Sequence, residues 1–166
     1  GMSGVKSLGQ WISGQFDPAL NWDDVAWIRS IWPGKLILKG VLDVGDAQKA
    51  VNTGADAIVV SNHGGRQLDG APSAISRLPR IVDAVGNQTE ILFDSGIRSG
   101  QDVLRALALG AKGCMLGKAF LFGLGAGGEE GVSKVIQIVG KELDVSMALT
   151  GRRTLAEIDD TVIDRG

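Results

Sequence analysis

The sequence predicts an α/β fold in which parallel strands alternate with helices. Four short apolar runs begin near residues 36, 56, 90 and 113, and stretches with helical periodicity separate them. Such alternation is typical of βαβ units around a parallel sheet. Four units suit either a small open sheet or half of a (βα)8 barrel. A complete barrel needs about 250 residues, whereas this chain has 166.

The first two units are marked by their apolar runs and by a glycine that ends a helix. LILKGV (36–41) predicts the first strand, and apolar residues then recur at helical spacing over 44–51. Gly54 is typical of the residue that follows a helix. ADAIVVS (55–61) predicts the second strand, and a glycine-rich loop follows it.

The third and fourth units repeat this arrangement. A predicted helix precedes EILFD (90–94), the third strand, and the helical stretch SGQDVLRALALG precedes GCMLG (113–117), the fourth. The apolar face of the first of these helices is expected to consist of Ile75, Leu78, Val82 and Val85.

The C-terminal segment predicts two further helices. One would carry Val132, Val135, Ile136 and Val139 on one face, and DVSMALTG would form the last. LFGLGAGGEEG (121–131) looks like a nucleotide-binding glycine loop, but it lacks the G-x-G-x-x-G spacing between a strand and a helix. We therefore interpret it as a helix boundary.

The composition is that of a globular protein, with 44% apolar and 22% charged residues. Net charge is −2 and no basic stripe is present, so nucleic acid is not an expected partner. No apolar stretch reaches the ~20 residues of a membrane-spanning helix, and the single Cys114 fits a reducing compartment. We expect a cytoplasmic location, with peripheral attachment to the inner face of the cell membrane as the alternative.

The only histidine and several cations follow predicted strands. Lys39 is expected to end the first strand, and His63 and Arg66 lie in the loop after the second. These side chains should converge, because the carboxyl ends of parallel strands share one face. An imidazole and a guanidinium in one loop are suited to an anionic substrate, so we predict a catalytic role for His63; an ordinary loop histidine is the alternative.

Lys39 should need a charge partner, because an unpaired buried ammonium is costly. The alternative is a lysine whose ammonium reaches solvent at the mouth of the barrel. DSGIRSG (94–100) and LGKA (116–119) each place glycine amides near a predicted helix start. Either stretch alone is ordinary turn chemistry, but the pair in this order predicts a phosphate site.

Together, LILKGV, SNHGGRQLDG, DSGIRSGQDVLRALALGAKG and LGKAFLFGL resemble the FMN-dependent α-hydroxy-acid dehydrogenases and oxidases, a family that includes bacterial L-lactate dehydrogenase, mandelate dehydrogenase and glycolate oxidase. The similarity runs from about Gln15 to Ile158. It implies FMN as the cofactor, no metal, and oxidation of a lactate-like L-2-hydroxy acid to the 2-keto acid. It also implies one partial domain over 1–166, the C-terminal half of a (βα)8 barrel with strands five to eight.

The resemblance further implies roles for individual residues. His63 would be the catalytic base, Arg66 the partner of the substrate carboxylate and Lys39 a cation near flavin N1 and O2. Ser61 would hydrogen-bond the isoalloxazine ring. The ribityl phosphate would be held by Asp94, Ser95, Gly96, Ile97, Arg98, Gly117 and Lys118. The family usually has arginine at the last position, and lysine keeps the charge but loses the bidentate fork.

Two hypotheses remain open. In the first, the chain belongs to a flavoenzyme whose N-terminal half supplies tyrosines and a carboxylate beside His63; this chain has no tyrosine and would be inactive alone. In the second, it is a non-catalytic half-barrel that binds phosphate or flavin weakly. In both, open strand edges favour association with the N-terminal half or with a second copy, so we expect a homo-oligomer. The hydroxy acid, the electron acceptor and the route of electron transfer stay open.

Overall fold

The computed structural model describes Trp11, Gly14, Gln15 and residues 17–164. By its internal contacts the chain divides into two compact units, Gly1–Pro33 and Gly34–Gly166. The single partial domain expected over 1–166 therefore stays a prediction.

The first unit contains the helix α1 (Trp22–Ile31). At its start, the Asn21 side chain accepts a hydrogen bond from the Asp23 amide, and the Asp24 carboxylate accepts one from the Asn21 amide, both at 2.8 Å. This capping box satisfies amides that a helix start otherwise leaves unpaired. No residue of α1 is buried, so local polar contacts rather than burial define where the helix begins.

In the second unit, four parallel strands form one sheet: β1 (Ile37–Val41), β2 (Ala57–Val60), β3 (Glu90–Phe93) and β4 (Gly113–Cys114). Their order in the sheet is their order in the chain. Every residue of β2 is buried, as expected of an inner parallel strand that is covered on both faces. The predicted α/β class with four parallel strands is confirmed.

β1 continues past the residue that was expected to end it. Lys39 is in register with Val59, but the strand runs on to Val41 after a register shift. Gly40 at this shift has φ +100°, a conformation that favours glycine. The bulge therefore lies within the strand, and β1 ends at Val41 rather than at Lys39.

Three helices connect the strands, and a fourth follows the last one: α2 (Val44–Asn52), α3 (Ala74–Val85), α4 (Gly100–Ala108) and α5 (Lys118–Leu149). The predicted stop after α2 is confirmed, because Gly54 has φ +84°. The core includes the fully buried side chains of Ile58, Ile91 and Phe93 from the sheet. Burial of each such side chain is worth about 1.5–3 kcal/mol.

The buried face of α3 differs in part from the predicted one. Its buried residues are Ala74, Leu78, Ile81 and Val85. Leu78 and Val85 were predicted there, whereas Val82 is half-buried and Ile75 is 37% exposed. The prediction for Ile75 is wrong because this side chain lines a pocket at the carboxyl edge of the sheet.

The helix α5 includes both the glycine-rich segment and the stretch that was predicted to form a separate last helix. Gly127 and Gly128 leave helical geometry, with φ −158° and +57°, which confirms the predicted boundary within 121–131. Beyond it the helix continues without a break to Leu149, so a separate helix for DVSMALTG is wrong. Among the described residues, no helix has the length and apolar character needed to cross a membrane.

Gly100, the first residue of α4, lies directly against α5. Its amide donates to the Glu142 carboxylate at 2.9 Å. A Cβ atom at Gly100 would lie 2.0 Å from the Leu143 amide nitrogen and 2.6 Å from the Val139 carbonyl oxygen. These are backbone atoms, so the contact cannot be relieved by rotating a side chain.

Gly100→Ala should therefore destabilise the protein by about 1–3 kcal/mol or more, because overpacking forces the two helices apart. Gly140→Ala is the matched control, since Gly140 is exposed on α5 with no atom within 4 Å of an added Cβ. The control should be neutral or stabilise the helix by up to about 1 kcal/mol. Urea unfolding measures both variants, and equal free energies of unfolding would contradict the packing of α4 on α5.

Candidate active site

A pocket of about 560 Å³ opens at the carboxyl edge of the sheet. Residues that belong to or follow all four strands line it, including every predicted site residue except Ser61. Those residues are Lys39, His63, Arg66, Asp94, Ser95, Gly96, Ile97, Arg98, Gly117 and Lys118. The structure thus brings them together, while the role of each stays a prediction.

Ser61, the remaining predicted residue, is buried directly after β2, with 1% of its surface exposed. Its Oγ accepts hydrogen bonds from Lys39 Nζ at 2.9 Å and from the His63 amide at 3.1 Å. The same hydroxyl donates to Asp94 Oδ1 at 3.0 Å. All hydrogen-bonding positions of this hydroxyl are used within the chain, so Ser61 acts as an internal link behind the pocket.

Lys39 has the expected charge partner, although its side chain is 38% exposed rather than buried. Its Nζ lies 2.8 Å from Asp94 Oδ2, and the pair spans the central strand β2. Burial by itself would raise the pKa of Asp94, but hydrogen bonds from Lys39, Ser95 and Ser61, with the Lys39 charge, outweigh it and hold that pKa below its ordinary value. Asp94 is therefore an anion at neutral pH.

A tight left-handed turn carries His63. His63, Gly64 and Gly65 have φ +57°, +65° and +75°. Such angles are uncommon for residues other than glycine, although histidine is among those that tolerate them. The Asn62 side chain fixes the turn, since it accepts from the Gly64 amide at 3.0 Å and donates to the Pro72 carbonyl at 3.2 Å.

Cations outnumber acids in the lining. The cations are Lys39, Arg66, Arg98 and Lys118, and the acids are Asp69 and Asp94. The chain as a whole has the opposite balance, with net charge −2. An excess of positive charge in a concave site favours anionic ligands.

The two glycine-bracketed helix starts differ in what their amides contact. At α4, the amides of Arg98 and Ser99 both donate to Asp102 Oδ2 at 3.0 Å, so carboxylates of the chain already occupy that start. At α5, Gly117 provides no side-chain cap, and no atom lies within 4 Å of the position of its missing Cβ. Beside Lys118, the start of α5 is the better suited of the two to an external phosphate.

Sequence reasoning missed several residues of the pocket. Asn62 shapes the turn, and Ile75, Met115 and Leu121 add apolar surface. Asn62 had a signal, because asparagine side chains commonly cap tight turns and this one directly precedes His63. The three apolar residues had none, since an apolar residue that lines a pocket looks in sequence like one that packs in the core.

The family model for FMN-dependent dehydrogenases matches residues 1–165. The chain belongs to this family. Among its relatives, the L-lactate dehydrogenase of Azorhizobium caulinodans is 55% identical over 148 residues, which are 89% of this chain and 39% of that protein. The L-lactate dehydrogenase of Caulobacter vibrioides (strain NA1000 / CB15N) is 50% identical over 161 residues, 97% of this chain and 42% of that one.

A crystal structure of the monotopic membrane protein (S)-mandelate dehydrogenase matches with a TM-score of 0.90 and 39% identity, over 95% of this chain and 42% of that one. The resemblance to the hydroxy-acid dehydrogenase family is confirmed. The chain spans about two fifths of the length of these relatives.

FMN, the cofactor of the family, carries a phosphate and a planar ring system. The pocket offers the cations described above, an uncapped helix start and two glycines, Gly96 and Gly117, with no atom within 4 Å of an added Cβ. Open backbone of this kind allows a ligand to approach closely. The lining therefore fits an anionic cofactor.

Asp94→Asn should destabilise the protein by about 1.5–3 kcal/mol at neutral pH, the range for hydrogen bonds to a charged group. Because the pKa of Asp94 is lowered in the fold, its stabilisation is complete above the ordinary pKa of about 4 and is lost as pH falls through the lowered value. The difference between wild type and variant should therefore be constant from about pH 6 to 8 and shrink below about pH 4.

Urea unfolding at a series of pH values measures that difference. Asp46→Asn is the control, because the Lys49–Asp46 pair is exposed and should contribute at most about 1 kcal/mol. A difference between wild type and Asp94→Asn that is unchanged at low pH would contradict the ion pair with Lys39.

Proposed function

We propose that the protein to which this chain belongs is an FMN-dependent oxidoreductase that converts a lactate-like L-2-hydroxy acid into the 2-keto acid. The observation that carries the proposal is the meeting of an imidazole, a guanidinium and an uncapped helix start in one cationic pocket. Family membership supports FMN as the group that accepts electrons there.

In the proposed reaction, Arg66 binds the carboxylate of the hydroxy acid. A planar guanidinium can make two parallel hydrogen bonds to a carboxylate, which fixes both the position and the orientation of the substrate. Arg66 follows His63 in the same turn, and its amide donates to the His63 carbonyl at 3.3 Å. The carboxylate would thereby place the adjacent hydroxyl group near the imidazole.

His63 then takes the hydroxyl proton as the general base. The imidazole must start neutral and becomes a cation, so this step is favoured where a carboxylate stabilises the product. The His63 side chain is exposed in the pocket, which gives a substrate access to it. When bound, FMN would supply the chemistry that accepts the hydrogen of the substrate carbon together with the two electrons of its C–H bond, which leaves the 2-keto acid.

Cations and open backbone among the remaining predicted residues would hold the cofactor. Lys118 and the amides after Gly117 would bind its phosphate, with Arg98 as a second cation of the same lining. Lys39 would contribute positive charge near the ring. Since the Lys39 ammonium is already paired with Asp94, it is held in place before any ligand binds.

A lactate-like substrate is favoured over a mandelate-like one by sequence similarity. The L-lactate dehydrogenases reported above share 50–55% identity with the chain, compared with 39% for the mandelate dehydrogenase. That mandelate dehydrogenase is a monotopic membrane protein, which supports peripheral membrane attachment as the alternative to a cytoplasmic location.

His63→Gln should slow flavin reduction by L-lactate about 10²–10⁴-fold, the usual contribution of a general base. Bound FMN should remain, because glutamine keeps a polar side chain of similar length. Stopped-flow absorbance of the full-length holoenzyme measures the reduction rate, and the flavin spectrum measures cofactor content. A rate close to that of the wild type would remove His63 as the base.

Arg66→Lys should raise KM for L-lactate about tenfold or more, because a single ammonium cannot reproduce the two-point contact with a carboxylate. Arg80→Lys is the matched control, since Arg80 is exposed on α3 and lies outside the pocket lining. Steady-state kinetics of both variants compares them. The assignment of Arg66 fails if both variants show the KM of the wild type.

A further inference from the structure

Two residues other than glycine have left-handed backbone angles among the described residues. They are His63, with φ +57°, and Ser95, with φ +84°. Strained backbone of this kind persists only where the surrounding structure fixes it, and it is concentrated at functional sites. Both residues line the same pocket, although they follow different strands.

Two serine hydroxyls hold the backbone of the His63 turn. The His63 amide donates to Ser61 Oγ at 3.1 Å, and the Gly64 amide donates to Ser95 Oγ at 3.1 Å. The Gly64 amide is shared, because Asn62 Oδ1 also accepts from it at 3.0 Å. Ser95 thus connects the turn to the end of β3, whereas Asn62 belongs to the turn itself.

The Asp94 carboxylate determines which way both hydroxyls point. A serine hydroxyl has one proton, and both Ser61 and Ser95 donate theirs to Asp94 Oδ1, at 3.0 and 2.8 Å. Their lone pairs are thereby left for the amides of the turn. The other carboxylate oxygen pairs with Lys39, so Asp94 cannot rotate without breaking an ion pair.

We propose that Ser95 is a positioning residue for His63: its hydroxyl, oriented by Asp94, fixes the left-handed turn so that the imidazole meets the substrate hydroxyl. This inference rests on the function proposed above, in which His63 is the base. It gives Ser95 a role that acts through the backbone of the turn and not through contact with the cofactor.

The backbone angle of Ser95 allows strain and hydrogen bonding to be separated. Glycine adopts φ +84° without strain, so Ser95→Gly removes the hydroxyl and relieves the backbone. Alanine keeps the strain and also removes the hydroxyl. If the hydroxyl positions His63, both variants lose activity; if only the backbone shape matters, Ser95→Gly retains it.

In the full-length holoenzyme, Ser95→Ala and Ser95→Gly should each reduce flavin about tenfold more slowly than the wild type at saturating L-lactate. The loss should be smaller than that for His63→Gln, because Asn62 still holds the Gly64 amide. Bound FMN should remain stoichiometric. Ser76→Ala is the matched control and should be unchanged, since this exposed hydroxyl only donates to the Ser73 carbonyl of its own helix start.

A double-mutant cycle tests whether Ser95 acts through His63. Adding Ser95→Gly to His63→Gln should cause no further loss, because a turn that no longer carries a base has nothing left to position. The inference fails if the rate losses of the two single variants multiply in the double variant. It also fails if the serine variants lose FMN, or if Ser95→Gly reduces flavin at the wild-type rate. A wild-type rate in His63→Gln would instead overturn the proposed function, whatever the serine variants do.

Discussion

The carboxylate of Asp94 connects three strands of the pocket. One of its oxygens faces Lys39 from β1, and the other accepts from Ser61 after β2 and from its own neighbour Ser95. The charge is partly buried, and its desolvation is offset because each oxygen has a hydrogen-bond donor. These partners meet only while β1, β2 and β3 keep their present register, since a slip by one residue would turn each side chain to the opposite face.

The other parts of the site are built on this carboxylate. The serine hydroxyls extend its contacts to the turn that carries His63, and Lys118 extends the turn to the start of α5 through the Gly64 carbonyl at 3.5 Å. Residues from four separate segments therefore form one connected set of polar contacts. The His63 imidazole and the Arg66 guanidinium line the pocket outside this set, and both residues are exposed.

The parts of the fold that depend on local sequence were predictable. Apolar runs bounded by glycine located all four strands, and Gly54 located a helix end. Both were predictable because buried strands and left-handed turns have characteristic sequence patterns that are only a few residues long. The HGGR loop is also a short continuous stretch of sequence, and it carried the resemblance to the family. The need of Lys39 for a partner could be predicted, but Asp94 could not be identified, since that pairing depends on strand register across β2.

Features that depend on packing between distant segments were not predictable. Helical periodicity placed Ile75 in the core, although it lies on the pocket, and nothing local indicated that Gly100 touches the backbone of α5. The two predicted phosphate-binding stretches, 94–100 and 116–119, looked alike in sequence. They differ in the structure because Asp102 and Glu142 reach the amides at the start of α4, and the latter comes from another helix.

The contrast between a cationic pocket and an acidic chain has a kinetic consequence. A small anion that approaches a concave cluster of positive charge is attracted at its opening, so diffusion delivers it preferentially to the site. This guidance extends over about one Debye length, roughly 8 Å at physiological ionic strength, and weakens as salt is added. Encounter with a small anion is thus faster than an uncharged cavity of the same size would allow, before any residue of the pocket touches it.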